Sequence, residues 1–247
     1  MMPPIETAPE ARPEETAYWT YQDLALFILM ALPSLVLATL LAGLLKSYFG
    51  VPTGRAAFLL LAQFTGYGFW FACLFLLLKT RYDRPFWKSL GWVTPRWNIF
   101  STAFLGPMLA IGIVVLGVLL KTPDIEMPIK DLLSDWTSVI LVGLFATTLG
   151  PLCEELAFRG FFQPLLIRSL GPAAGIALSA LLFALPHGQQ YSWSWRHLLL
   201  LTLAGIAFGW VRQSSRSTLA ATVVHAAYNL TFFVIYLMQA KDKASLW

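Results

Sequence analysis

The chain has 247 residues, of which 57% are hydrophobic and 12% charged, and its formal net charge is +4. Soluble domains carry about 25% charged residues, so the composition excludes an ordinary water-soluble domain and points to the membrane class. The positive balance forms no basic stripe and supports no nucleic-acid partner; Lys and Arg gathered in cytoplasmic loops account for it.

Residues 1–22 are rich in Pro and Glu and read as a disordered N-terminal tail. They lack the basic start of a cleaved signal peptide, so the first span is expected to stay as an anchor. Leu24–Leu45, Ala57–Leu78 and Ile99–Leu120 are apolar runs of roughly 20 residues, long enough to cross a bilayer. Between the second and third lies Lys79–Asn98, with Lys79, Arg81, Arg84, Lys88 and Arg96 beside Trp87, Trp92 and Trp97. Basic residues with interfacial aromatics are the pattern of a cytoplasmic loop. Residues 23–137 thus form an N-terminal set of transmembrane helices. Val139–Ile167, Ala173–Pro186, Leu198–Val211 and Leu219–Met238 continue the pattern through a second unit, 138–239, and 240–247 is a C-terminal tail. The expected fold class is all-α: a multi-pass protein of seven or eight transmembrane helices, with membrane lipid as its partner and the cell membrane as its place. Cys73 and Cys153 both lie in apolar runs and read as small packing residues rather than a disulfide.

Polar groups interrupt the second unit. An ionisable side chain at mid-membrane costs about 2.5–3.5 kcal/mol, yet "TLGPLCEELAFRGFFQPLL" carries Glu154, Glu155 and Arg159. Glu155 and Arg159 have the i,i+4 spacing of a shared helix face and can neutralise each other, whereas Glu154 projects about 100° away. A single rod over residues 138–169, rising about 1.5 Å per residue, would exceed the hydrocarbon thickness, so Gly150-Pro151 reads as a point where it breaks or tilts. His187 follows Pro186 at the end of the next span. His225 and Asn229 stand four apart on the last. Each alone suits an interhelical hydrogen bond. Together they are more economically explained by one shared polar cavity. Gly205-x-x-x-Gly209 permits close helix packing, within the core or between copies. His197 and "YSWSW" read as an interfacial loop.

Glu154-Glu155-x-x-x-Arg159, Phe183-x-x-x-His187 and His225-x-x-x-Asn229 resemble, in order, the three signature motifs of the CAAX-protease and bacteriocin-processing family of intramembrane endopeptidases. That family includes the type II CAAX prenyl endopeptidases. The resemblance covers roughly Leu141–Tyr236, implies a four-helix catalytic core in the C-terminal half, and departs at none of the motif positions. It implies that Glu154, His187, His225 and Asn229 are catalytic, with Glu155, Arg159 and Phe183 in support. The implied partner is a peptide or prenylated protein substrate.

In the favoured mechanism Glu154 and His187 activate water, while His225 and Asn229 donate to the oxyanion. It needs no cofactor. The alternative makes Glu154, His187 and His225 ligands of a zinc ion, a known donor set for catalytic zinc, although no H-E-x-x-H helix motif is present. A second class of function uses the same cavity without hydrolysis, in a transporter, immunity or binding protein, because intramembrane carboxylates and histidines also mark proton paths.

Overall fold

The structure, a computed structural model, describes residues 17–49, 54–125, 131–133 and 135–241. All regular elements among them are helical. Among the described residues, six helices are long and apolar enough to cross a membrane, and a shorter apolar one, Pro172–His187, joins them. The protein is an all-α polytopic membrane protein; the six span-length helices and the shorter one make seven apolar segments, against the seven or eight transmembrane helices expected.

α1 (Tyr21–Phe49) and α2 (Arg55–Tyr82) form an antiparallel pair. Apolar around its whole circumference, α1 turns Leu29, Leu32 and Leu40 outward to where lipid lies. Its start is a capping box: Thr20 donates its N–H and hydroxyl to Asp23 Oδ2 at 2.7 and 2.8 Å. The same buried carboxylate accepts from Arg81 and Tyr82 at the end of α2, each at 2.5 Å, and so closes the hairpin. Farther along, Phe27 and Trp70 stack at 4.3 Å.

The segment preceding α1 departs from the expected tail. Residues 1–16 lie outside the described residues, but Ala17–Thr20 packs into the core. Trp19 is 1% exposed, stacks on Phe161 at 5.0 Å and donates its indole N–H to the Phe161 carbonyl at 3.0 Å. Two aromatics at 18–19 gain more from burial than the Pro- and Glu-rich composition suggests. Most of the C-terminal tail also lies outside the described residues.

After α2 a short helix, α3 (Phe86–Ser89), leads into a segment stitched to the end of the molecule. Thr218 donates its N–H to Gly91 O at 2.8 Å and its hydroxyl to Leu90 O at 2.6 Å, while Ser217 reaches Val93 O at 2.5 Å. α4 (Ile99–Ala103), capped by Asn98, and α5 (Leu105–Leu119) then form one span. A Cβ on Gly106 would fall 2.6 Å from the Tyr228 backbone nitrogen, so this glycine sets how near α5 approaches the last helix.

The next span is broken. α6 (Trp136–Thr147), N-capped by Asp135, stops at Thr148, whose φ and ψ of −132° and −78° are not helical, and α7 (Leu149–Glu155) begins. The break falls just before Gly150-Pro151. Pro151 sits inside the first turn of α7, where N–H groups have no helical partner to lose. The Thr147 and Thr148 hydroxyls accept the loss on the other side, donating to Gly143 O at 2.8 Å and Leu144 O at 2.6 Å. α7 runs on through a π-helical turn, Leu156–Phe162, into α8 (Gln163–Leu170). α9 (Pro172–Ala184) ends in a tighter turn over Leu185–His187, and α10 (Trp195–Ser215) and α11 (Thr218–Lys241) complete the bundle. Before α10, Tyr191 stacks on His197 at 5.1 Å while Trp193 and Trp195 stay exposed, as suits an interfacial loop.

Candidate active site

Three motif segments converge where α7 and its π-turn meet α9, α10 and α11. Glu155 and Arg159 are both fully buried, with Arg159 Nη1 3.0 Å from Glu155 Oε1, the pair expected from their spacing. Arg159 also donates from Nη2 to Gly205 O at 2.9 Å, and its guanidinium lies over the rings of Phe183 and Phe208 at 4.5 and 5.4 Å. Aromatic faces can stabilise a desolvated cation by about 2 kcal/mol. One turn on, Gln163 Nε2 repeats the arrangement by donating to Gly209 O at 3.0 Å. The two glycines make this possible. A Cβ on Gly209 would stand 2.6 Å from Gln163 Oε1, and one on Gly205 3.0 Å from Ala180 Cβ. Gly205-x-x-x-Gly209 therefore packs inside the core, against α9 and the polar edge of the π-turn. Such wide turns are frequent at functional sites.

His225 lies between the two glutamates. Its Nδ1 is 2.9 Å from Glu155 Oε1 and its Nε2 3.7 Å from Glu154 Oε2. A carboxylate can only accept, so Nδ1 carries the hydrogen and Nε2 is the atom turned toward Glu154. Phe208 stacks on the imidazole at 4.4 Å and fixes its plane. Glu155 thus has two partners, Arg159 and His225. Glu154 is different. Its side chain is 25% exposed, and His225 is its ionic neighbour.

The other two motif residues are also held. His187 Nδ1 is 3.0 Å from the Phe183 carbonyl, which again makes Nδ1 the donor and leaves Nε2 to accept. Its ring centroid is 5.1 Å from that of Phe183, and Phe183 meets His225 edge-on at 5.7 Å. One Asn229 amide N–H goes to Ala146 O, 2.8 Å away at the end of α6. Glu154, Glu155, Arg159, Phe183, His187 and His225 therefore belong to one connected cluster, and Asn229 joins it from the side of the α6–α7 break. Glu154 contacts His225, not the expected His187.

Among the described residues, no group of three or more His, Cys, Asp or Glu is placed to hold a metal ion. The Nδ1 of His225 and that of His187 are engaged, by Glu155 and by the Phe183 carbonyl, and the Nε2 of each is left open. Cys73 and Cys153 are free thiols and half-buried.

Residues 136–231 match the family described as type II CAAX prenyl endopeptidase Rce1-like. The chain carries a domain of that family. The matched stretch begins with α6 and ends inside α11, so it contains every motif position in the cluster. Over that stretch the match supports a CAAX-type intramembrane protease. No curated protein and no solved structure matches it.

Several contributors to the Rce1-like cluster were not anticipated from the sequence. Phe208 and the Gly205 carbonyl carry no signal in a helix of ordinary apolar residues. Gln163, four residues after Arg159, was visible as a polar group on the same face. So was the Gln63–Tyr67 pair on α2, whose members are hydrogen-bonded at 3.2 Å.

Proposed function

We propose that the protein is an intramembrane endopeptidase of the cell membrane that hydrolyses a peptide bond with a water activated by Glu154. The observation that carries this reading is the contrast between neighbouring glutamates. Glu155 is fully buried between a guanidinium and an imidazole, whereas Glu154 is a quarter exposed and has His225 Nε2 as its ionic neighbour. One carboxylate builds the site, and the other is left to work in it.

Glu154 takes a proton from the water, which is oriented by a hydrogen bond to His187 Nε2. The hydroxide adds to the substrate carbonyl carbon. The developing oxyanion accepts from the second Asn229 N–H and from His225 Nε2–H when that imidazole is protonated. Glu155 keeps the His225 ring in this orientation through Nδ1. Glu154 then returns its proton to the leaving nitrogen as the C–N bond breaks. No step runs through a metal. The substrate we propose is a membrane-associated peptide: the C-terminal segment of a prenylated CAAX-type protein or a bacteriocin-like peptide.

The test is cleavage of prenylated CAAX-type peptides and a transmembrane-peptide library by purified protein in detergent. Glu154→Gln is expected to lower kcat by about a hundredfold or more; near-normal turnover would remove Glu154 from the mechanism. Chelator treatment is expected to leave the rate unchanged. Loss of activity on chelation, restored by zinc, would replace this mechanism with a metal-dependent one.

A further inference from the structure

α2 lies outside the stretch that matches the Rce1-like family, yet it brings a polar pair to the wall of the site. Tyr67 stacks on Phe145 of α6, with ring centroids 6.2 Å apart and planes 11° from parallel. The Phe145 ring in turn rests over α7: a Cβ on Gly150 would lie 3.8 Å from it. Gly150 and Glu154 are four residues apart and share a helix face. The stack from Tyr67 through Phe145 to Gly150 therefore ends on the face that presents Glu154, and the Glu154 charge acts electrostatically on the phenol. Next to Phe145, the Ala146 carbonyl holds Asn229. Tyr67 and Asn229 thus approach the α6–α7 break from α2 and α11.

The hydrogen bond on α2 has a direction. Gln63 Nε2 donates and Tyr67 Oη accepts at 3.2 Å, so the hydroxyl hydrogen remains to be given to another acceptor. An amide exposed in the middle of an apolar span is costly unless it has a use. Here it aims a phenol.

We infer that Tyr67, oriented by Gln63, contacts the substrate, donating its hydroxyl hydrogen to a backbone carbonyl oxygen of the peptide bound at Glu154. This rests on the endopeptidase reading and adds to it a binding group from outside the family domain. Such a donor engages the peptide before and during reaction, so its loss shows mainly in KM.

The experiment compares Tyr67→Phe, which keeps the stack on Phe145, with the unaltered protein and with Glu154→Gln on whichever peptide the unaltered protein cleaves. Tyr67→Phe is expected to lower kcat/KM by about tenfold, chiefly by raising KM. Gln63→Met, which suits lipid and leaves the phenol in place, is expected to give a smaller loss in the same direction. It keeps the test open should Tyr67→Phe fold poorly. Binding of the same peptide to the Glu154→Gln protein should weaken when Tyr67→Phe is added. If the unaltered protein cleaves, Glu154→Gln does not, and both α2 variants match the unaltered KM, the role of Tyr67 is overturned while the protease reading stands. If the unaltered protein cleaves nothing, both fall together.

Discussion

At the scale of single residues, Arg159 is the side chain on which most of the site leans. It neutralises Glu155, bonds the Gly205 carbonyl and lies between two aromatic rings. Removing one partner of a buried pair leaves the other charge stranded, at about 3–5 kcal/mol. Arg159→Met is therefore expected to lower thermal stability in detergent by that amount, with Glu155→Gln added on top restoring part of it. The double variant should still be inactive, since Glu155 also holds His225. Activity in it would show that this histidine needs no anchor. The Glu155–Arg159 pair was legible because i,i+4 spacing is a property of one helix. That Glu155 also takes His225 was not, because it depends on how α11 is rotated against α7, and packing at Gly106 and around Phe208 sets that rotation.

At the scale of elements, the π-turn Leu156–Phe162 is the feature with least warning in the sequence: Arg159 marks the segment as special, but nothing in LAFRGFF distinguishes a π-turn from an ordinary helical one. The break before it was legible in kind, through Gly150-Pro151, and the chain parts at Thr148 just upstream. The support of the π-turn by the segment preceding α1 was hidden by composition. Pro and Glu dominate residues 1–16, whereas Trp19 alone caps the Phe161 carbonyl and stacks on its ring. Trp19→Phe keeps a ring in place but leaves that buried carbonyl without its donor. It is expected to cost about 1–3 kcal/mol in a denaturant titration. An unchanged midpoint would mean that the carbonyl finds its partner within the helix.

At the scale of the whole molecule, one set of loops is richer in basic residues than the other. Arg168 reaches the Ala17 carbonyl, and Arg96 N–H reaches Ser215 O, which places the start of α1, the Lys79–Asn98 segment, the α8–α9 turn and the α10–α11 turn on one side. That side collects Lys79, Arg81, Arg84, Lys88, Arg96, Arg168, Arg212 and Arg216. The opposite side joins Lys121 O to Arg196 at 3.1 Å and carries Lys46 and Arg55 at the α1–α2 connection, with Asp124, Asp131 and Asp135 in the segment before α6. In sequence alone the asymmetry was faint, because Arg168, Arg212 and Arg216 are assigned to a side only once the helices are packed. The side richer in basic residues is predicted to face the cytoplasm, which would leave α11 ending outside. Alkaline phosphatase fused after Lys241 should be active in a bacterial host, and a fluorescent protein that matures only in the cytosol should stay dark there. The reverse pattern would invert the orientation.

The distance along the chain between Glu155 and His225, 70 residues, has a consequence for biogenesis. The ribosome delivers the acidic pair together with its arginine, so that stretch enters the bilayer with a counter-ion already aboard. The imidazole bonded to Glu155 arrives only with α11. On the proposed mechanism, a nascent chain that has not yet reached α11 is predicted to be without activity.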